Sequence, residues 1–169
     1  MNQYQCVFLS EVPSVIPEMV KAGHSLWGDL SPDFTPDVRE RFYREVSCNA
    51  KSGVQVLVVL DEENNFAGFA LINTFDVPGR EDIPSWLSEI YIAPKYRSLG
   101  LGSWLLSQAE AEALAMGYET LYLFCESAHN FFEGAHWRHL EDTSYNGTPG
   151  TIMVKDIAEQ AQKAVSQTN

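Results

Sequence analysis

The sequence predicts an α+β fold in three layers: a mixed, mostly antiparallel central sheet of about six to seven strands flanked by helices. Three observations point that way. Short β-rich runs recur along the chain, and two of them, Val54 to Leu60 and Phe66 to Phe75, stand close enough to pair as a hairpin. Two segments of helical periodicity precede that hairpin. Further on, a strand stopped by Ala93-Pro94 leads through Gly100 and Gly102 into a long amphipathic helix.

In order, Tyr4 to Leu9 reads as the opening strand. From Pro13 to about Leu30 the apolar residues Val15, Ile16, Met19, Val20 and Leu26 recur at helical spacing, and Pro17 sits near the first turn, where its missing N–H costs little. Thr35-Pro36-Asp37 combines a capping hydroxyl, a first-position proline and an acid in the first turn, so a second helix should run to about Val46. The hairpin follows, its strands joined by the polar turn Asp61 to Asn65. Val77 to Pro84 is a loop punctuated by Pro78, Gly79 and Pro84; it carries Glu81 and Asp82, with Asp76 just before it. Trp86 to Ile92 is the next strand. The long helix covers about Gly100 to Met116, with Leu101, Trp104, Leu105 and Ala109 on one stripe and Gly117 as terminator. Thr120 to Cys125 is a strand, Ala128 to Ala135 a short helix, and Trp137 to Tyr145 with Thr151 to Val154 a closing strand pair. Residues 1–157 are expected to form a single domain and 158–169 a polar C-terminal tail, either a loose helix or disordered.

Of the 169 residues, 45% are hydrophobic and 20% charged, enough apolar material for one core. The start MNQYQCVFLSEVP lacks a basic leader and breaks at Glu11 and Pro13, which argues against a secretory signal. No run of about 18 apolar residues occurs, so no spanning helix is expected. Cys6, Cys48 and Cys125 match neither a disulfide framework nor a zinc pattern, and are expected to be free thiols in the cytoplasm, with no metal bound. With 23 acidic against 11 basic residues the net charge is −12. Such a surface repels nucleic acid and anionic membranes and favours a cationic small molecule, although acidity also serves solubility alone.

Gly100 and Gly102, one residue apart at a strand-to-helix junction, let the backbone pass close to a phosphate and aim free N–H groups at it. A dinucleotide fingerprint would need a third glycine where Leu105 stands, and a nucleoside-triphosphate loop would need lysine where Ser103 stands. The stretch Ile90-Tyr91-Ile92-Ala93-Pro94-Lys95-Tyr96-Arg97-Ser98-Leu99-Gly100-Leu101-Gly102 instead resembles the acetyl-CoA loop of the GNAT superfamily of N-acetyltransferases, which reads Gln/Arg-x-x-Gly-x-Gly/Ala after a strand ending apolar-x-Pro. The resemblance continues through Leu121-Tyr122-Leu123-Phe124-Cys125, Ala128, Phe131-Phe132-Glu133 and Trp137 to the ending Ile152-Met153-Val154-Lys155-Asp156. It is specific from about Trp86 to Asp156 and only architectural before that.

The resemblance implies a GNAT-like acyl-CoA N-acyltransferase fold and acetyl transfer from acetyl-CoA to a primary amine of a small, cationic acceptor by direct attack on the thioester. The alternative is a catalytically weak or inactive acyl-CoA-binding sensor. A homodimer is one expected assembly. Arg97, Ser98 and the backbone amides of Leu99, Gly100, Leu101, Gly102 and Ser103 would hold the pyrophosphate. Ile90, Tyr91 and Ile92 would pair with the pantetheine arm, and Phe132 would border it.

A free alkylamine has a pKa of about 10.4, so a base is needed before it can attack. Strand alternation puts Ile90 and Ile92 on one face and Glu89 with Tyr91 on the other, which makes Glu89 the first candidate for a water-mediated base. By the same resemblance, the family's tyrosine, which in much of the family protonates or orients the leaving thiolate, is replaced here by Phe132, the glycine just before the following aromatic by His136 before Trp137, and the asparagine often found seven residues before the tyrosine by Cys125. Water, His129, His136, Tyr91 and Tyr122 remain as sources of the proton, with His129 the candidate side chain. Trp27, Asp76 and Tyr91 are the candidate acceptor-binding residues, with His24, Asp29, Glu40, Tyr43 and the loop from Asp76 to Asp82 bordering the same cleft.

Overall fold

The strands of the sheet are β1 (Tyr4–Phe8), β2 (Gln55–Asp61), β3 (Phe66–Asn73), β4 (Trp86–Ile92), β5 (Thr120–Cys125), β6 (Arg138–Tyr145) and β7 (Thr148–Asp156). The helices are α1 (Ile16–Trp27), α2 (Pro36–Cys48), α3 (Leu101–Ala115) and α4 (His129–Gly134). This computed structural model describes residues 3–48 and 53–160. Among them the strands lie in the order β1-β2-β3-β4-β5-β7-β6, and every neighbouring pair is antiparallel except β4 and β5. That parallel pair has a single registered contact, Trp86 opposite Tyr122. The predicted α+β architecture is therefore the one observed.

Each face of the sheet carries its own core, which makes the three layers. On one face α3 buries Leu101, Leu105, Leu106, Ala109 and Ala113, at the i, i+4 spacing of a helix, against Leu57, Val59, Ile72 and Leu87. Each such aliphatic side chain contributes roughly 1.5–3 kcal/mol of burial free energy, and the alanines let the helix lie close. On the other face Ile16 and Met19 of α1 and Tyr43 and Val46 of α2 cover Val56, Val58, Phe69 and Leu71.

Strand β4 serves both cores because it changes phase. Leu71 pairs with Glu89 but Ile72 pairs with Leu87, so Ser88 is the extra residue of a bulge. Beyond the bulge Ile90 and Ile92 pack on the α3 side and Tyr91 on the α1–α2 side, as the alternation predicted. Glu89 shares Tyr91's side and is buried. Its Oε1 accepts from Arg39 Nη1 and its Oε2 from the Tyr43 hydroxyl, while Arg39 Nη1 also reaches that hydroxyl at 3.3 Å. Burial and then the Glu89 charge push the Tyr43 phenol well above its ordinary range, so it stays protonated and donates. Burial works against the Arg39 charge, but Glu89 and Tyr43 hold its pKa above the usual value. Gly23 of α1 makes the room: a Cβ there would stand 2.7 Å from Arg39 Nη1.

Two readings need correction. The first helix does not start at Pro13. That residue opens a separate 3-10 turn, Pro13–Val15, and Pro17, with no N–H, cannot extend a regular helix back to it. The last strand is longer than read from Thr151 to Val154, because Pro149 and Gly150 pair only with β6, beyond the point where β5 ends opposite Thr151. A proline is tolerated on such an edge. Of the C-terminal tail, residues 157–160 are helical, and 161–169 lie outside the described residues.

The residue replacing the family-typical glycine, His136, has φ 67°, a left-handed conformation that strains an L side chain. It is held there because Trp137 Nε1 donates to Glu110 Oε1 at 2.9 Å and Lys155 ties Glu110 to the carbonyl of Ala135. His136→Gly is expected to raise stability by about 0.5–1 kcal/mol, read as a higher urea midpoint. Gly23→Ala should do the opposite by about 1–3 kcal/mol, through displacement of Arg39; an unchanged midpoint would show that Arg39 has slack.

Candidate active site

Past Trp86 and Tyr122 the strands β4 and β5 diverge, and the wedge between them is a cleft of about 630 Å³. Ile90 and Ile92 form one wall, Leu123 and Cys125 the other, and the start of α3 closes one end. The backbone of β4 facing this wedge has no strand partner there. At the closed end Gly100 adopts φ 78° as it enters α3, a conformation glycine takes without strain. The first α-helical bond runs from Trp104 N to Gly100 O, so the N–H groups of Leu101, Gly102 and Ser103 have no acceptor within the helix. With the positive end of the helix dipole they form an anion seat.

Two neighbours aim this seat. The Tyr96 hydroxyl donates to Asp61 Oδ2 at 2.5 Å, tying the loop after β4 to the β2–β3 turn and holding the Asp61 carboxyl down to about 2. Arg97 donates from Nε to the Ile92 carbonyl at 2.9 Å and lines the cleft with its charge exposed. Gly102 costs helix stability, yet a Cβ there would meet only the Phe131 ring at 3.6 Å, an ordinary contact. The packing of the fold does not itself require that glycine.

Ser98, Gly100, Gly102 and Ser103 line this cleft, as do Tyr91 and Phe132. Leu99 projects to solvent and Leu101 into the core, and neither lines the cleft. Phe132 is buried edge-on to Trp137, ring centroids 6.0 Å apart. Burial pushes the neighbouring Cys125 thiol up, so it is not a thiolate at neutral pH. His129 lines neither this cleft nor the next: its Nε2 is 3.2 Å from Thr151 Oγ1, which in turn donates to Asp142 at 3.0 Å. His136 is exposed, and Tyr122 packs against Trp86.

A second cleft, of about 390 Å³, lies between α1, α2, the β3–β4 loop and the β6–β7 hairpin. It meets the first at Trp27, Ser88, Phe124 and Glu126, which line both. Glu89 lines its wall, though both carboxylate oxygens are engaged by Arg39 and Tyr43. Asp76 lines it too, on a loop that Arg80 clamps by bonding Asp82 and Glu141. Desolvation, and then the charge of Glu89, push the Asp76 carboxyl well above the usual carboxylate range. The Ser88 hydroxyl beside it works the other way, but its geometry falls short of an ordinary hydrogen bond. His24, Asp29 and Glu40 do not line the cleft, and Tyr43 serves Glu89 instead.

Sequence reasoning missed Ser88, Phe124 and Glu126. The bulge that exposes Ser88 leaves no signature in composition. Glu126, however, directly follows β5, and the carboxyl ends of parallel strands are where such sheets open a crevice.

The model of the Acetyltransferase (GNAT) family matches residues 23–136, more than half the chain. No curated protein sequence matches. Among solved structures, the aminoglycoside 6'-N-acetyltransferase complexed with coenzyme A has 14% identity and a TM-score of 0.70, covering 90% of this chain and 97% of that one. The dodecameric spermidine N-acetyltransferase from Vibrio cholerae has 13% identity and a TM-score of 0.67, covering 96% and 99%. A protein from Desulfovibrio desulfuricans assigned to the GNAT family has 19% identity and a TM-score of 0.64, covering 92% and 99%. At these identities the structures speak for the fold, and the family model for membership: this chain belongs to the Acetyltransferase (GNAT) family.

Proposed function

We propose that the protein transfers an acetyl group from acetyl-CoA to a primary amine of a small cationic acceptor, by direct attack of the amine on the thioester. The observation that carries this reading is the meeting of two clefts at Trp27, Ser88, Phe124 and Glu126, one ending in an anion seat and the other bordered by carboxylates. When bound, acetyl-CoA supplies an activated acyl carbon. The amides of Leu101 to Ser103 and the Arg97 charge hold its pyrophosphate, and the free edge of β4 at Ile90 to Ile92 takes the pantetheine arm and orients the carbonyl. The free cysteines fit a reducing cytoplasm.

The amine arrives protonated and must lose that proton before its nitrogen bonds to the acyl carbon. Asp33, Asp76, Glu89 and Glu126 all line the cleft, and the environments of Glu89 and Asp76 differ. Glu89 is balanced by Arg39 and Tyr43, so it acts as a positioning charge that keeps its neighbour's proton affinity high. Asp76, whose carboxyl burial and the Glu89 charge hold well above the usual carboxylate range, is the proposed proton acceptor, directly or through water. This moves the base from Glu89 to its neighbour while keeping both in one unit. As the C–S bond breaks, the sulfur leaves as a thiolate; a thiol of this kind has a pKa of about 8.5, so water suffices to protonate it and Phe132 need not.

Asp76→Asn is expected to lower kcat by roughly 10²–10⁴ and to remove the acid limb of the pH–rate profile, without changing the thermal shift produced by coenzyme A. The limb should lie above the ordinary carboxylate range, since the enzyme is active only once Asp76 has lost its proton. Stability should run the other way. A carboxyl with a raised pKa in the folded state favours folding below its unfolded pKa of about 3.9 and loses that contribution as pH rises through the folded value. The Asp76→Asn protein should therefore melt higher than wild type at neutral pH, with the gap closing below about pH 4. Phe132→Tyr should change kcat by less than about tenfold in a thiol-release assay, and a larger gain would show that leaving-group protonation limits the wild type.

A further inference from the structure

We propose that the acceptor is an arylalkylamine, a single ammonium carried on a flat apolar body, bound in the second cleft with its nitrogen beside Asp76. This rests on the acetyl-transfer reading above and narrows it to a substrate class. The nitrogen must lie where the clefts meet, and the carboxylates gather there: Glu126 lines both clefts, and Asp76 stands beside Ser88, which also lines both. Among the described residues Arg39 is the one Lys or Arg lining the second cleft, and Glu89 neutralises it, so the wall presents net negative charge to the nitrogen.

The rest of the cleft accommodates the body of the acceptor. Leu30, Phe34, Phe75 and Tyr145 line it away from the junction. Phe75 is 47% exposed, a large ring left open at the cleft. Three of the polar side chains lining the cleft are each engaged within the protein at one atom. Ser31 Oγ donates to the Tyr145 hydroxyl at 3.2 Å, Asn146 Nδ2 donates to the Leu30 carbonyl at 2.7 Å, and Asn73 Oδ1 accepts from Thr74 N at 2.9 Å. A polyhydroxylated amino sugar would have to desolvate many hydroxyls against a mostly aromatic and aliphatic wall, whereas a ring gains apolar and edge-to-face contacts. A linear polyamine would run its second ammonium along Leu30, Phe34 and Phe75, where the exposed Asp33 is the carboxylate at hand.

The test is thiol release from acetyl-CoA with tryptamine, 2-phenylethylamine, spermidine and kanamycin, on wild type and Phe75→Ala, alongside the thermal shift produced by coenzyme A. The expected result is a kcat/KM at least about tenfold higher for the two arylalkylamines than for spermidine or kanamycin, with that ratio falling about tenfold in Phe75→Ala. A preference for spermidine or kanamycin, or a ratio that Phe75→Ala leaves unchanged, overturns the substrate class while leaving acetyl transfer intact. Stabilisation by coenzyme A with no amine acetylated overturns acetyl transfer itself.

Discussion

The site exists because β4 and β5 pair at one point and then part. Two parallel strands that stayed in register would close the sheet and leave nowhere for a ligand to reach backbone. Here Tyr122 N bonds the Ser85 carbonyl and Trp86 packs on Tyr122, and beyond that point β5 gives its hydrogen bonds to β7 alone. The bulge at Ser88 bends and re-phases β4 at the same level, so one strand presents Ile90 to one layer and Glu89 to the other. Both clefts open from that divergence. Gly150 completes it: a Cβ there would come within 2.3 Å of the Phe124 ring, which forms part of both walls.

The second constraint is the handling of charge beneath the second cleft. A buried carboxylate without partners would cost several kcal/mol, and Arg39 with Tyr43 removes that cost for Glu89. Since a buried ion pair of this kind often contributes little net stability, its value lies in fixing geometry: it locks α2 to β4 and holds a negative charge near Asp76. The strain shows at Asp76, desolvated and facing a like charge. Such a group destabilises the fold at neutral pH and is the kind of cost that a working site retains.

Phe132 shows how a departure from the family pattern can leave the architecture untouched. It keeps the aromatic edge against Trp137 and the wall of the first cleft, and loses only the hydroxyl. His136 is the complementary case. Its backbone keeps the left-handed turn that glycine would take freely, held by the Lys155–Glu110–Trp137 bonds around it.

The sequence by itself determined most of the elements and the glycine turn into α3, because these rest on local signals: apolar periodicity in α3, a proline stop after β4, and glycines at a strand-to-helix junction. It also put Ile90 and Glu89 on opposite faces, since alternation is a property of neighbouring residues. The tertiary structure alone decided what those faces meet. That Glu89 is held by Arg39, fifty positions away, that His129 turns to Thr151 instead of the cleft, and that Ser88 bulges to join two clefts all depend on register between distant strands and on packing between layers. Periodicity within one segment carries no information about either.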